Sequence, residues 1–156
     1  MKLLKSVVCA LLSLVLVLAL GISAGAAQQP ASKSKTYAGY EVSVIMMTRM
    51  KAWSAGGTRF TPKDNKQEFV VIRLHVRPLE KQGTFALTRE LAGVHAADGK
   101  DYEIALNKYG AALAADGSLI ELPFAVPVGT QLESMHLGSV TFDLTKTPEM
   151  KPKAGS

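Results

Sequence analysis

The stretch Gln67-Glu68-Phe69-Val70-Val71-Ile72-Arg73-Leu74-His75-Val76 decides the fold class. Val70, Ile72, Leu74 and Val76 fall on one side, and Val71, Arg73, His75 and Arg77 on the other. Successive side chains leave a pleated backbone on opposite faces, so this alternation is that of a strand with one buried side. Pro78 ends it, because proline has no N–H to continue a ladder.

Outward from this strand the same period recurs. Tyr40 to Met47 places Tyr40, Val42, Val44 and Met46 on one face. Phe85 and Leu87 alternate, Leu91 to His95 reads as a further strand, and Tyr102 to Leu106 as its return. Ala97-Asp98-Gly99-Lys100 supplies the turn between them, since Asp-Gly readily adopts the positive φ of a tight hairpin. Asp116-Gly117 marks a second turn. Leu119 to Val126 follows with Leu122, Phe124 and Val126 inward, and Met135 to Leu144 is the last strand. Asn107 to Ala115 is alanine-rich and reads as a short helical turn weakened by Gly110. About seven short strands divided by Gly, Pro and Asp turns specify an all-β sandwich or barrel.

Four pieces in order carry a resemblance: Glu68 to Val76, the hairpin Ala97 to Tyr102, the strand Leu122-Pro123-Phe124-Ala125-Val126-Pro127, and the closing Gly138-Ser139-Val140-Thr141-Phe142-Asp143-Leu144. Together they resemble the telokin-like, immunoglobulin-like domains of exported bacterial proteins. That family is mostly of unknown function and is similar to a secreted mycobacterial antigen. The resemblance implies an immunoglobulin-like antiparallel β-sandwich of about seven strands in an extracytoplasmic setting. It carries no functional residues across.

Residues 1–27 read as a signal peptide. Lys2 and Lys5 precede an apolar run from Val7 to Leu20, and Gly21 to Ala27 is rich in the small residues around which signal peptidase cuts. The competing reading, an uncleaved anchor, would give the protein a membrane association. Cys9, the one cysteine, lies inside the apolar run, so cleavage leaves a chain without a thiol and without disulfides or cysteine-held metals. Residues 28–38 read as a flexible leader, 39–145 as the domain and 146–156 as a disordered tail. The expected location is periplasmic or secreted.

The chain has 18 basic and 13 acidic side chains, and without Lys2 and Lys5 the positive excess falls from five to three. So small a surplus does not call for a nucleic acid partner. There is no G-x-S-x-G, HExxH or phosphate-cradling glycine loop. The expected function is therefore a non-catalytic binding module for a protein or cell-envelope component, with no cofactor.

The candidate ligand loop is the irregular stretch from Met50 to Lys66, which holds the one tryptophan. Lys51, Trp53, Arg59 and Phe60 offer aromatic planes and cations that grip a sugar ring, a peptide or an anion. The competing reading folds Trp53 back to cap one end of the sandwich. A second functional reading is copper(I) held by Met46, Met47, Met50 and His136, since thioether and imidazole suit that ion. Methionine also fills irregular core gaps, so Met46 fits equally as part of its strand's apolar face.

Overall fold

The computed structural model describes residues 33–80 and 83–150. The expected signal peptide, Cys9, most of the leader and the last residues of the tail lie outside them. The chain enters through β1 (Lys35–Tyr37), β2 (Tyr40–Met50) and the short hairpin β3 (Trp53–Ala55) and β4 (Thr58–Phe60). It continues through β5 (Gln67–Pro78), β6 (Thr84–Thr88), a 3-10 turn at Arg89–Leu91, β7 (Ala92–Ala96) and β8 (Asp101–Glu103). Then follow β9 (Lys108–Ala112), β10 (Ser118–Pro127), β11 (Leu132–Leu137), β12 (Val140–Asp143) and β13 (Glu149–Met150).

Two sheets whose long strands run antiparallel face each other. The first runs β1-β2-β5-β10, and the second β12-β11-β7-β8. The inward face of β5 is that read from the sequence: Val70, Ile72, Leu74 and Val76 have no exposed surface. Leu122, Phe124 and Val126 meet them from β10, and Met135, Leu137 and Phe142 from the second sheet. Burying each such side chain fully contributes roughly 1.5–3 kcal/mol, which makes the alternation binding on register. The two sheets approach closure along one side, where Ile104 bridges to Phe124. On the other, Lys35 reaches the carbonyl of Thr141 and lies over the Phe142 ring. The fold is an all-β sandwich.

Its two ends are closed differently. At one end the β6–β9 pair inserts Phe85 and Leu87 into the core, and Tyr37 and Tyr40 meet the Phe85 ring edge-on. At the other, Arg49 faces inward and bonds Glu68 at 2.8 Å, Glu149 at 2.9 Å and the carbonyl of Thr130 at 2.7 Å. Glu68 also accepts the N–H of Gly129. Burial alone would weaken the hold of Arg49 on its proton, but the bonds from Glu68 and Glu149 outweigh it and raise its pKa above the ordinary value.

Several expectations are corrected. A bulge in β2 between Val44 and Met46 reverses the alternation, so Met46 lies opposite Arg73 on the outer face and Met47 opposite Ile72 inside. Met135 to Leu144 is two strands, because Gly138 takes φ +53° and turns the chain back, pairing Leu137 with Val140. Asn107 to Ala115 holds strand β9 and no helical turn, since its residues pair with β6. The expected leader contributes β1, paired with β2 through the two-residue turn at Ala38-Gly39. The expected tail contributes β13, which runs parallel to β2 with Pro148 accepting the N–H of Met47. Both of these segments are held by ladder bonds that carry no hydrophobic signature.

Candidate functional site

The outer face of the first sheet is not uniformly polar. Phe69 and Val71 on β5 are 4 % and 3 % exposed although they point away from the core. What covers them is the β3–β4 hairpin. Gly56 and Gly57 both take positive φ, the two-residue turn that matches strand twist, and the hairpin folds back so that Trp53 packs on Phe69 and Val71.

Trp53 is 5 % exposed, so it does not stand free in solvent. Nor does it cap an end of the sandwich: it lies on the flat of the sheet, level with Glu121 in β10. Its indole N–H donates to Glu121 Oε2 at 3.2 Å, while Arg73 donates to Glu121 Oε1 at 2.6 Å from the adjacent strand. The Phe60 ring lies 5.4 Å from Trp53, tilted by 34°.

Beside this pair is a groove of about 370 Å³. Trp53, Phe60, Phe69, Pro123 and Ala125 form its apolar floor and wall. Thr61, Lys63, Gln67, Arg89 and Glu103 supply the polar part of its lining. Pro123 has a local reason to be there: it sits where β10 has no further full strand beside it, and its carbonyl accepts the N–H of Ala105. The cations of the mouth are weakly committed. Lys63 makes no hydrogen bond or ion pair among the described residues, and Arg89 approaches Glu103 only to 3.7 Å.

Of the four loop residues singled out in the sequence, Trp53 and Phe60 line the groove together. Lys51 stands next to it, its Nζ 3.4 Å from the carbonyl of Gln67. Arg59 pairs with Ser54 on the exposed hairpin and does not line the groove. Sequence reasoning held Lys63 within the candidate stretch without singling it out, and missed Gln67, Phe69, Arg89 and Pro123. One signal was available: Phe69 and Val71 are apolar on the face that turns polar at Arg73, so something had to cover that half of β5.

The four candidate copper ligands are not brought together. Met46 and Met50 lie on the outer face of the first sheet and Met47 on its inner face. His136 is on the second sheet, where its neighbours Met135 and Leu137 point inward and it points out. Among the described residues no three His, Cys, Asp or Glu side chains gather as metal donors.

The outer face of the second sheet does hold one arrangement with chemical interest. Asp101, His95 and Ser134 are cross-strand partners on β8, β7 and β11, and His95 Nδ1 lies 2.8 Å from Asp101 Oδ1. Ser134 makes no hydrogen bond to His95 among the described residues. The row is also open to water, with the His95 and Asp101 side chains 43 % and 73 % exposed. A nucleophile and base need contact and a sheltered oxyanion site, and this face provides the acid–base pair alone.

A further polar pocket of about 370 Å³ lies beside Arg49, Glu133, Thr147 and Glu149. Its cation is consumed by the pairs with Glu68 and Glu149 that close the sandwich. The groove under the hairpin therefore has the apolar surface and the uncommitted charge, on an all-β sandwich scaffold. No family model matches the chain, and neither a curated protein nor a solved structure matches it.

Proposed function

We propose that this chain is an exported, non-catalytic binding module of the telokin-like, immunoglobulin-like kind, and that it recognises a protein or cell-envelope component through the groove beneath the β3–β4 hairpin. The observation that carries the reading is the combination of a fixed aromatic floor with a free cation at the mouth. Trp53 is pinned by Glu121 and so presents its ring without ordering cost on binding. Among the described residues Lys63 has no hydrogen bond or ion pair to give up. Ligand sites are concave, largely apolar and provided with a few convergent polar groups, and this groove has that make-up.

The test is retention of envelope and secreted fractions on the exported form of the protein, whose N-terminus is read by mass spectrometry. Phe60→Ala removes one ring of the aromatic wall and trims the small Trp53–Phe69–Val71 cluster while leaving the core between the sheets intact, and Leu119→Ala, at an exposed position elsewhere on the sheet, is the control. Specific retention lost in the first variant and kept in the second supports the reading. Equal retention by both variants overturns the groove as the binding surface, and an N-terminus still at Met1 overturns signal cleavage.

A further inference from the structure

We infer that the ligand of this groove is a planar apolar body bearing a single carboxylate. The inference rests on the groove being a binding site, and adds the chemical class of what enters it.

The body of the ligand follows from the wall. Trp53 and Phe60 present two rings 5.4 Å apart and inclined by 34°, with Phe69, Pro123 and Ala125 beneath. Aromatic walls of this kind favour offset or edge-on packing of another ring. The volume of about 370 Å³ is at the small end of ligand sites, which span about 300–1,000 Å³. One ring system fits that range, whether free or as an aromatic side chain reaching in from a protein or envelope partner.

The charge of the ligand follows from the mouth. Lys63 makes no hydrogen bond or ion pair among the described residues, and the adjacent acid, Asp64, has its Oδ1 engaged by the backbone N–H of Lys66 at 2.7 Å. Arg89 lines the same groove with its side chain 45 % exposed and only a 3.7 Å approach to Glu103. A guanidinium offers a planar fork that matches a carboxylate, and lysine a mobile point charge. Lys51, Lys66 and Arg59 in the surrounding segment add to the same sign of potential. Glu103 limits the count: a second negative charge on the ligand would meet it beside Arg89. One anionic group is favoured over two.

Such a ligand arises either as a free aromatic acid or as the end of a peptide whose last residue is aromatic, and two probe pairs separate these sources. The exported protein is titrated calorimetrically with 2-naphthoate and its uncharged counterpart 2-naphthamide, and with Gly-Gly-Phe as free acid and as terminal amide. The single tryptophan of the chain gives one indole N–H resonance, which locates binding at Trp53. We expect acids to bind at least about tenfold more tightly than their amides, a difference of about 1.4 kcal/mol, with the indole resonance moving. Lys63→Gln combined with Arg89→Gln should abolish that preference, and Phe60→Ala should weaken acid and amide alike. Tighter binding of the tripeptide acid than of naphthoate assigns a peptide end, and the reverse assigns a free acid. Acids and amides that bind equally, with the indole shift lost in Phe60→Ala, overturn the carboxylate while leaving the groove as a binding site. No shift with any of the four probes overturns the groove reading and this inference with it.

Discussion

The indole N–H of Trp53 and the carboxylate of Glu121 are joined at 3.2 Å across the outer face of the first sheet, and Arg73 holds the other carboxylate oxygen at 2.6 Å. This link connects a three-residue hairpin strand to the middle of β10, and it fixes the wall of the groove from behind. Tyr109 and Leu119 flank the same carboxylate on the far side of Trp53, and burial raises the pKa of the Tyr109 phenol above its ordinary value. The hairpin is thus tied to the sheet by one aromatic ring and one acid.

Glu121→Ala should therefore destabilise the protein by about 1–2 kcal/mol, mostly because the buried indole N–H loses its acceptor. The ion pair with Arg73 adds only about 0–1 kcal/mol, since both side chains are 36 % exposed. Glu121→Gln keeps an acceptor oxygen and should cost less than Glu121→Ala. Urea unfolding followed by tryptophan emission measures both. Equal midpoints for the parent and Glu121→Ala would show that the hairpin does not depend on this bond.

Arg49 and Glu68 make a sharper case because they point into the sandwich. Glu68 is 8 % exposed and the Arg49 side chain 20 %. Removing Glu68 leaves the inward guanidinium with Glu149 and the Thr130 carbonyl alone, so Glu68→Ala should cost about 1–3 kcal/mol, below the range for a buried charge left unpaired. Replacing both partners, as Arg49→Met with Glu68→Leu, should recover much of that loss, because the one charge left without its partner, Glu149, is 40 % exposed and can be hydrated. A double-mutant cycle in urea reads the coupling. Additive losses would mean the two residues contribute separately and not as a pair.

The sequence made the sandwich legible because its core strands alternate strictly. Val70 to Val76 and Leu122 to Val126 each offer a face of aliphatic residues, and burial forces that face inward. The short strands left less trace. Lys35–Tyr37 and Glu149–Met150 are held through backbone bonds to β2, which any side chain permits. The β2 bulge escaped detection for a related reason: Ile45, Met46 and Met47 are all apolar, so the pattern does not say which one is extra. The groove was legible in half. Trp53 and Phe60 are conspicuous as aromatics near a Gly-Gly turn, but Arg89 comes from the 3-10 turn and Pro123 from β10, and only the fold brings them near.

Acid should weaken the fold in a defined window. Glu41 is held below its ordinary 4.5 chiefly by Arg77, and by Ser34. Asp98 is held below 3.8 by Lys100, and Asp143 by the hydroxyl and N–H of Thr145. A carboxyl with a depressed folded pKa binds fewer protons folded than unfolded, so its contribution is complete above the unfolded value. It is lost as pH falls from that value through the lower folded one. The melting temperature should thus be level near neutrality and decline below about pH 5. All three groups are exposed, so added salt should flatten the decline. Glu41→Gln with Asp143→Asn should shift the parent curve towards pH independence. An unchanged acid slope in that double variant would assign the loss to other groups.

Gly93 and His136 provide the most discriminating stability test. They are cross-strand partners on the outer face of the second sheet, and the imidazole lies across the bare backbone of Gly93. A Cβ built on Gly93 would lie well inside van der Waals contact with Cε1 of that ring. Gly93 carries no positive φ, so backbone conformation is not the obstacle to a larger residue. Two opposed effects then meet in Gly93→Ala. The unfolded chain loses freedom, which favours folding by about 0.4–1 kcal/mol, while displacement of the ring costs about 1–3 kcal/mol. The net effect in the parent should be destabilising. In a His136→Ala background the obstruction is gone, and the same Gly93→Ala change should become neutral or stabilising. Thermal melts of the four proteins give the sign directly. A loss of equal size in both backgrounds would show that Gly93 is required for something other than the approach of the His136 ring.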